Sequence, residues 1–187
     1  MSVERLPNFP LDAGRPLGRE FAALGLCGYR DAARHVHSLP YGRNSDRSDW
    51  RLVLKEERGT CSTKHALLAD LARENLRHVV LVLGVYEMDE GNTPGIGTVL
   101  ERHGIPCFPE AHCYLAHEGT RVDLTREGGG AEQINSFPHE EEIESHQIGT
   151  YKVRAHRVFL RRWAAERGLD PEHVWRAREE CIAALAG

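Results

Sequence analysis

A cysteine at the predicted start of a helix is the residue of this chain best placed for nucleophilic chemistry. Cys61 follows a Gly-Thr pair in "ERGTCSTKHALLADLARE", residues 57–74, where the pattern predicts that a helix begins. The N–H groups and partial positive charge of a helix N-terminus stabilise a thiolate, the reactive form of cysteine. The same groups can bind an oxyanion. Cys61 is therefore the candidate nucleophile, and the alternative is a thiol that falls at a helix start by chance.

A cysteine nucleophile needs a base, and the base needs a group that orients it. His112 lies at the start of "AHCYLAH", and Asp123 lies in the following segment, "TRVDLT". Glu118 and Gly119 separate these alternating segments, which predicts a hairpin with a two-residue turn. In that register Asp123 falls opposite Tyr114, so His112 and Asp123 are diagonal neighbours on one face. A three-residue turn would place them on opposite faces.

The other histidines considered for the role of base fit it less well. His65 lies four residues after Cys61 and shares its helix face. It is interpreted as a packing or helix-surface histidine. His35 and His37 face apart on their predicted helix and are interpreted as structural.

A metal site is a weaker interpretation of the residues around His112. Cys107, His112, Cys113 and His117 are possible ligands, but their spacing is unlike the usual zinc patterns. His112 and Cys113 also point to opposite faces of a strand. We therefore expect no metal and no cofactor.

The elements predicted around these residues indicate an α+β fold, with helices packed against an antiparallel sheet. "HVVLVLGVY", residues 78–86, predicts a central strand, because it is apolar on both faces. "RLVL", residues 51–54, is interpreted as a short strand. The acidic run "PHEEEIESH" is interpreted as a solvated face. Two C-terminal helices are predicted, one over about 150–167 and one that begins at Asp170 and Pro171.

The composition fits one globular domain. The chain has 187 residues, a formal net charge of −4 and a pI near 6.3. Proteins that bind nucleic acids usually carry an excess of basic residues, so no nucleic-acid partner is expected. No apolar run approaches the ~20 residues that span a membrane, and the N-terminus does not resemble a signal peptide. We therefore expect a cytoplasmic protein without a membrane partner. The five scattered cysteines are expected to be free thiols.

In their order, these motifs resemble those of the transglutaminase-like superfamily of papain-fold enzymes. The family has a Gly-x-Cys turn that opens a helix, a histidine that leads a strand containing an aromatic residue, and an aspartate in an Asp-x-Thr element. This chain has "GTCSTKHALLADLA", "GIPCFPEAHCYLA" and "RVDLT", within roughly residues 57–126. The resemblance implies a papain-like core with the nucleophile helix packed on an antiparallel sheet. We expect a single domain over 1–187, with its core at about 40–135 and a helical C-terminal extension at about 145–187.

Carried over by position, the resemblance implies that Cys61 is the nucleophile, His112 the general base and acid, and Asp123 the residue that orients His112. The family often has tryptophan two residues after the histidine, where this chain has Tyr114. No side-chain oxyanion donor is evident upstream of the cysteine. The two candidates for such a donor are Asn44 and Trp50.

The residues and the resemblance together predict thiol-dependent acyl transfer on an amide or peptide bond. Hydrolysis is expected rather than transamidation, because water is in excess. The substrate is expected to be a peptide, a protein or a small amide. The alternative is a catalytically silent domain that binds a peptide or small ligand in the same cleft. A thiol probe separates the two, since a silent domain has no need of an activated Cys61. The sequence leaves the oligomeric state open.

Overall fold

A computed structural model describes residues 2–126, 134 and 136–185 of the chain. Within these residues the fold contains seven α-helices and one four-stranded antiparallel sheet, which confirms the α+β class. None of the described helices is long and apolar enough to cross a membrane. The Gly-rich segment "REGGGAEQINSF", residues 126–137, which the sequence predicts to be a loop, lies largely outside the described residues.

The helices and strands follow one another in an order that puts most of the sheet in the middle of the chain. The helices are α1 (Pro16–Ala23), α2 (Tyr29–Ser38), α3 (Leu52–Glu56), α4 (Cys61–Glu74), α5 (Gly97–His103), α6 (Thr150–Glu166) and α7 (Pro171–Ala184). The strands are β1 (Val80–Met88), β2 (Phe108–His117), β3 (Thr120–Val122) and β4 (His139–Ile143). Short 3₁₀ helices cover Ser2–Arg5 and Ser145–Ile148.

The sheet has the strand order β3-β2-β1-β4, and all its neighbours are antiparallel. The predicted central strand is confirmed, because β1 pairs on both sides and most of its residues are buried. The acidic run is more than a solvated face, since its residues 139–143 form the edge strand β4. Only Ile143 of β4 is buried. Exposed charges suit an edge strand, because they discourage pairing with other chains.

The predicted strand over residues 51–54 is wrong, because Leu52–Glu56 form helix α3. A short apolar run does not distinguish a strand from a helix, since four residues show no clear period. Here Val53 alone is fully buried within α3, and Glu57 ends the helix in the left-handed region with φ of 52°. The segment thus forms one turn of helix that leads the chain to α4.

Helix α4 lies at the centre of the main hydrophobic core. Residues 61–72 are all buried, because the sheet covers one side of α4 while α1 and α2 cover another. The Tyr29 hydroxyl of α2 donates a 3.0 Å hydrogen bond to the Leu68 carbonyl of α4. This hydrophobic core includes residues from Val3 to Ile148.

Helices α5, α6 and α7 form a second core around the end of β1 and the start of β2. Asp170 caps α7 as predicted, since its carboxylate accepts hydrogen bonds from the N–H groups of Glu172 and His173. On β2, Glu110 accepts two 2.7 Å hydrogen bonds from the Arg178 guanidinium of α7. The two C-terminal helices therefore pack against the sheet close to His112.

Candidate active site

The first turn of α4 holds Cys61 in place through a tight backbone contact upstream. Thr60 is the N-cap of α4, and Cys61 is its first residue. Gly59 forms a parallel β-bridge with Tyr41. A Cβ atom at Gly59 would lie 2.9 Å from Lys64 Cγ, which is closer than real Cβ contacts. A side chain at position 59 would thus clash with side chains of α3 and α4, and the glycine lets this segment pack closely against both helices.

The hairpin of β2 and β3 brings His112 to Asp123 in the predicted register. His117 pairs with Thr120 across a two-residue turn, whose residues Glu118 and Gly119 have positive φ of 48° and 74°. Such a turn matches the twist of the flanking strands. His112 Nε2 lies 2.5 Å from Asp123 Oδ2. The predicted two-residue turn and the predicted proximity of these two side chains are both confirmed.

Asp123 is buried and held from several directions. The Thr125 N–H and hydroxyl both donate hydrogen bonds to Asp123 Oδ1, at 2.8 Å and 2.5 Å. Burial would raise the pKa of this carboxyl, but the charge and hydrogen bond of His112 outweigh it and hold the pKa well below its usual range. Asp123 is thus an ionised group that fixes the orientation and tautomer of His112.

His65 connects the nucleophile helix to the segment that carries Asp123. Its Nε2 accepts a 2.8 Å hydrogen bond from the Leu124 N–H, so the ring proton is on Nδ1 and is donated to the Cys61 carbonyl at 2.7 Å. His65 is fully buried, and burial lowers its pKa to about 4. The interpretation of His65 as a packing histidine is confirmed, since it is neutral and points away from the thiol.

Cys61 and His112 form a hydrogen-bonded pair. Asp123 occupies Nε2 of His112, which leaves Nδ1 for the thiol. Burial disfavours the charged form of His112, but Asp123 and Cys61 raise its pKa well above the usual value. Burial would also raise the pKa of Cys61. The charges of Lys152 and His112, with hydrogen bonds from His112 and the Cys113 N–H, lower it to about 6. At neutral pH the pair is therefore a thiolate and an imidazolium.

Lys152 of α6 is a second cation beside the thiol. Its side chain is buried, and Nζ lies 2.7 Å from Ser62 Oγ and 3.8 Å from Cys61 Sγ. Burial opposes its charge, yet nearby acidic groups, which include Cys61 and Glu110, raise its pKa. Sequence reasoning missed Lys152, because no motif links α6 to α4. The one available signal was the rarity of lysine, of which the chain has three.

A second buried lysine, Lys64, fixes the segment that follows Asp123. Its Nζ donates hydrogen bonds to the carbonyls of Leu39 at 2.5 Å and Thr125 at 2.9 Å. Burial lowers the pKa of Lys64 to about 8. Lys64 therefore connects the end of α2, the helix of the thiol and the segment of the aspartate.

Cys61 lies between two cavities. The first is also lined by His112, Asp123, Tyr86 and Thr93. The second is lined by groups of α4, α6 and α7, which include Ser62, Lys152 and Arg178. Tyr41, Glu110 and Ile182 line both cavities. Cys61 is thus reached from one side that carries His112 and from another that carries the buried ammonium group of Lys152.

Neither predicted oxyanion candidate lies in these cavities, so the structure does not support Asn44 or Trp50 in that role. Asn44 is buried, and its amide group donates to Glu56 Oε2 and the Arg58 carbonyl, both at 3.0 Å. The Trp50 ring packs against the main core. Asn44 and Trp50 thus anchor the segment before α3 to its surroundings. The unpaired N–H groups at the start of α4 remain the hydrogen-bond donors next to the thiol.

The candidate metal ligands do not converge. Cys113 is buried in the main core, whereas His112 lies on the opposite face of β2, next to Tyr114. Among residues 2–126, 134 and 136–185, no group of three or more His, Cys, Asp or Glu side chains is arranged to hold a metal ion.

No protein-family model, no curated protein and no solved structure matches this chain. Its function is therefore inferred from the chemistry of Cys61, His112 and Asp123 and of the groups around them.

Proposed function

We propose that this protein is a thiol-dependent enzyme that hydrolyses an amide or peptide bond, with Cys61 as nucleophile, His112 as base and acid, and Asp123 as the residue that orients His112. The observation that carries the proposal is that the thiol at the start of α4, His112 and the buried Asp123 line one cavity, where His112 Nε2 lies 2.5 Å from Asp123 Oδ2. The meeting of a helix N-terminus with a His-Asp hairpin also supports a transglutaminase-like, papain-fold core.

The first step is attack by the thiolate on the carbonyl carbon of the substrate. A C–S bond forms, and the π electrons of the carbonyl move to its oxygen. The N–H groups in the first turn of α4 stabilise this oxyanion, and one such donor is worth about 10²–10³-fold in rate. Tyr41 lines both cavities, and burial raises its pKa, so its hydroxyl stays protonated as a further donor.

The second step is departure of the amine. His112 donates its Nδ1 proton to the leaving nitrogen, the C–N bond breaks, and an acyl thioester of Cys61 remains. Asp123 keeps the other ring nitrogen in its N–H form during this transfer. A positioned proton donor of this kind contributes about 10²–10⁴-fold.

Water then resolves the thioester. His112 takes a proton from the water while the water oxygen attacks the acyl carbon. The second tetrahedral intermediate then collapses, which releases the carboxylic acid and restores the thiolate. An amine in the place of water would give transamidation by the same steps. Hydrolysis is the proposed outcome, since water is present in excess.

The proposal is tested by incubating the protein with a peptide library and identifying new termini by mass spectrometry. Cleavage is expected with the wild type and not with Cys61→Ala. His112→Ala is expected to cleave about 10²–10⁴-fold more slowly. Cys27→Ala, which removes an exposed thiol far from the cavities, is the matched control and retains cleavage. Cleavage that persists in Cys61→Ala would rule out the proposal.

A further inference from the structure

The ammonium group of Lys152 lacks a carboxylate partner. The side chain is 9% exposed, and its described contacts are the Ser62 hydroxyl at 2.7 Å and the Cys61 thiol at 3.8 Å. Among the described residues, no Asp or Glu oxygen lies within 4.0 Å of Nζ. The negative charge next to it is the Cys61 thiolate, and that charge is lost when the sulfur attacks the substrate. A buried charge without a counter-charge is costly. Because Lys152 lines the second cavity, a carboxylate of the substrate that enters this cavity would replace the lost negative charge.

The other charged groups of this cavity make it strongly positive. Arg43, Arg47 and Arg178 line it together with Lys152, and Glu110 is the one carboxylate among the described lining residues. Both oxygens of Glu110 are engaged by Arg178, so that charge is already compensated.

Arg43 and His156 add little to the net positive charge of this cavity. Arg43 is paired with Glu179 at 2.8 Å. His156 also lines the cavity, and burial lowers its pKa, so it adds no charge at neutral pH. Arg47 lines the cavity and makes no ion pair with any residue that the structure describes, whereas the negative charge next to Lys152 is the Cys61 thiolate.

The basic surface continues outside the cavity. Arg47 also lines an open groove that carries three arginines along one side of α6: Arg154, Arg157 and Arg161. Arg157 pairs with Glu172 and lies over the Trp175 ring, whereas Arg154 and Arg161 make no ion pair within the described part of the chain. Asp46 is the one carboxylate among the described residues that line the groove, so the arginines outnumber it. Basic side chains therefore continue from the cavity onto the surface of a protein whose formal net charge is −4.

We propose that the cavity on the Lys152 side of Cys61 is a carboxylate subsite and that the substrate is an acidic peptide, which runs from the arginine groove into this cavity. The proposal rests on the proposed amidase function and names its substrate class. A single small acid would need only the cavity, whereas a chain with several carboxylates also uses Arg154 and Arg161 of the groove.

The dimensions place the recognised carboxylate close to the reacting bond. The cavity volume is about 70 Å³, and since ~10–15 Å³ of such volume holds one water, it accepts a group of a few heavy atoms. Nζ is 3.8 Å from Sγ, so a carboxylate at ~3 Å from Nζ lies within ~7 Å of the sulfur. The carboxylate thus belongs to the residue that contributes the scissile amide or to its neighbour.

The test is protection of Cys61 from iodoacetamide, an uncharged reagent, read by peptide mass spectrometry. The probe is a tetraglutamate peptide, tetraglutamine is the neutral control, and glutarate is the small-acid arm. We expect tetraglutamate to slow alkylation of the wild type at least threefold at saturation, and the other two to have no comparable effect. In Arg47→Gln and Lys152→Met the protection is expected to fall at least threefold. Arg162→Gln, which removes an exposed α6 charge outside the groove, retains full protection.

Each other outcome overturns the inference. Equal protection by tetraglutamate and tetraglutamine, or none by either, contradicts a carboxylate subsite. Equal protection by glutarate and tetraglutamate contradicts the peptide and indicates a small diacid. Unchanged protection in Arg47→Gln, which alters an exposed side chain, contradicts the assigned site. If Cys61 reacts in a His112-dependent manner but tetraglutamate does not protect it, the proposed function stands and this inference is wrong. If Cys61 is unreactive, both are wrong.

Discussion

The chemistry at Cys61 depends on two cations that approach the thiol from different elements. His112 comes from β2 and Lys152 from α6. The sequence predicted Cys61, His112 and Asp123, because helix-start signals and hairpin register are local patterns. It did not predict Lys152, because the contact joins residues 91 positions apart and no local rule relates them.

Lys152→Met is expected to raise the pKa of Cys61 above its present value of about 6, because it removes the charge next to the thiolate. The alkylation rate at pH 6.5 should therefore fall, while the rate well above pH 9 changes little. The pH dependence of iodoacetamide alkylation measures this shift. Lys152→Arg keeps the charge and should retain most of the low-pH reactivity. An unchanged pH profile in Lys152→Met would show that Lys152 does not act on the thiol.

His65 should make the protein less stable in mild acid. The unfolded chain binds a proton at His65 below pH 6.5, whereas the folded protein binds one only near pH 4. The free energy of unfolding therefore falls as the pH falls from 6.5 to 4, by up to roughly 3 kcal/mol. Urea unfolding of His65→Gln should show a shallower pH dependence over this range. His78→Gln, at an exposed position, is the control, and an equal slope in His65→Gln and wild type would contradict the assignment.

Helices and strands with a clear apolar or turn pattern were predictable from the sequence. Those with a short apolar run or with mostly charged residues were not. β1, the β2–β3 hairpin and the cap of α7 follow from alternation, turn residues and capping residues. α3 was mistaken for a strand, because its apolar run is too short to show a period. β4 was missed, because an edge strand exposes its charged side chains and so resembles a solvated loop.

The loop before α3 depends on Asn44, which sequence reasoning assigned to the oxyanion site. Its Nδ2 group donates hydrogen bonds to Glu56 and to the Arg58 carbonyl, and its Oδ1 accepts a 2.9 Å hydrogen bond from the Thr63 hydroxyl. Asn44→Ala should lower the free energy of unfolding by about 1–3 kcal/mol, because buried partners lose their hydrogen bonds. The alkylation rate of Cys61 in the folded variant should stay within about twofold of wild type. A large loss of reactivity with unchanged stability would restore Asn44 to the site.

At the level of the whole molecule, the C-terminal helices complete the site. α6 contributes Lys152 and the groove arginines, and α7 contributes Arg178 and Ile182 to the cavity walls. The sequence predicted these two helices as a C-terminal extension. Which surface they cover was not predictable, because it depends on contacts between segments far apart in the chain. Glu110 and Arg178 make the central polar contact of this packing.

Arg178→Met should destabilise the whole fold. It leaves the buried Glu110 carboxylate without its partner, which costs about 3–5 kcal/mol in the free energy of unfolding. The double variant Glu110→Gln with Arg178→Met should recover part of that loss, since no charge then stays buried. Arg162→Met removes an exposed pair with Glu166 and should cost at most about 1 kcal/mol. Chemical denaturation measures all three, and equal losses in Arg178→Met and Arg162→Met would contradict the structural role of the buried pair.

The most direct test of the central claim is the pH dependence of iodoacetamide alkylation at Cys61, resolved by peptide mass spectrometry, in wild type and His112→Ala. We predict that Cys61 reacts faster than the other four cysteines, with a midpoint near pH 6, and that His112→Ala moves the midpoint upward and removes this advantage. A midpoint near the ordinary ~8.5 of a free thiol, or the same midpoint in both proteins, would contradict an activated Cys61–His112 pair and favour a binding domain without catalysis.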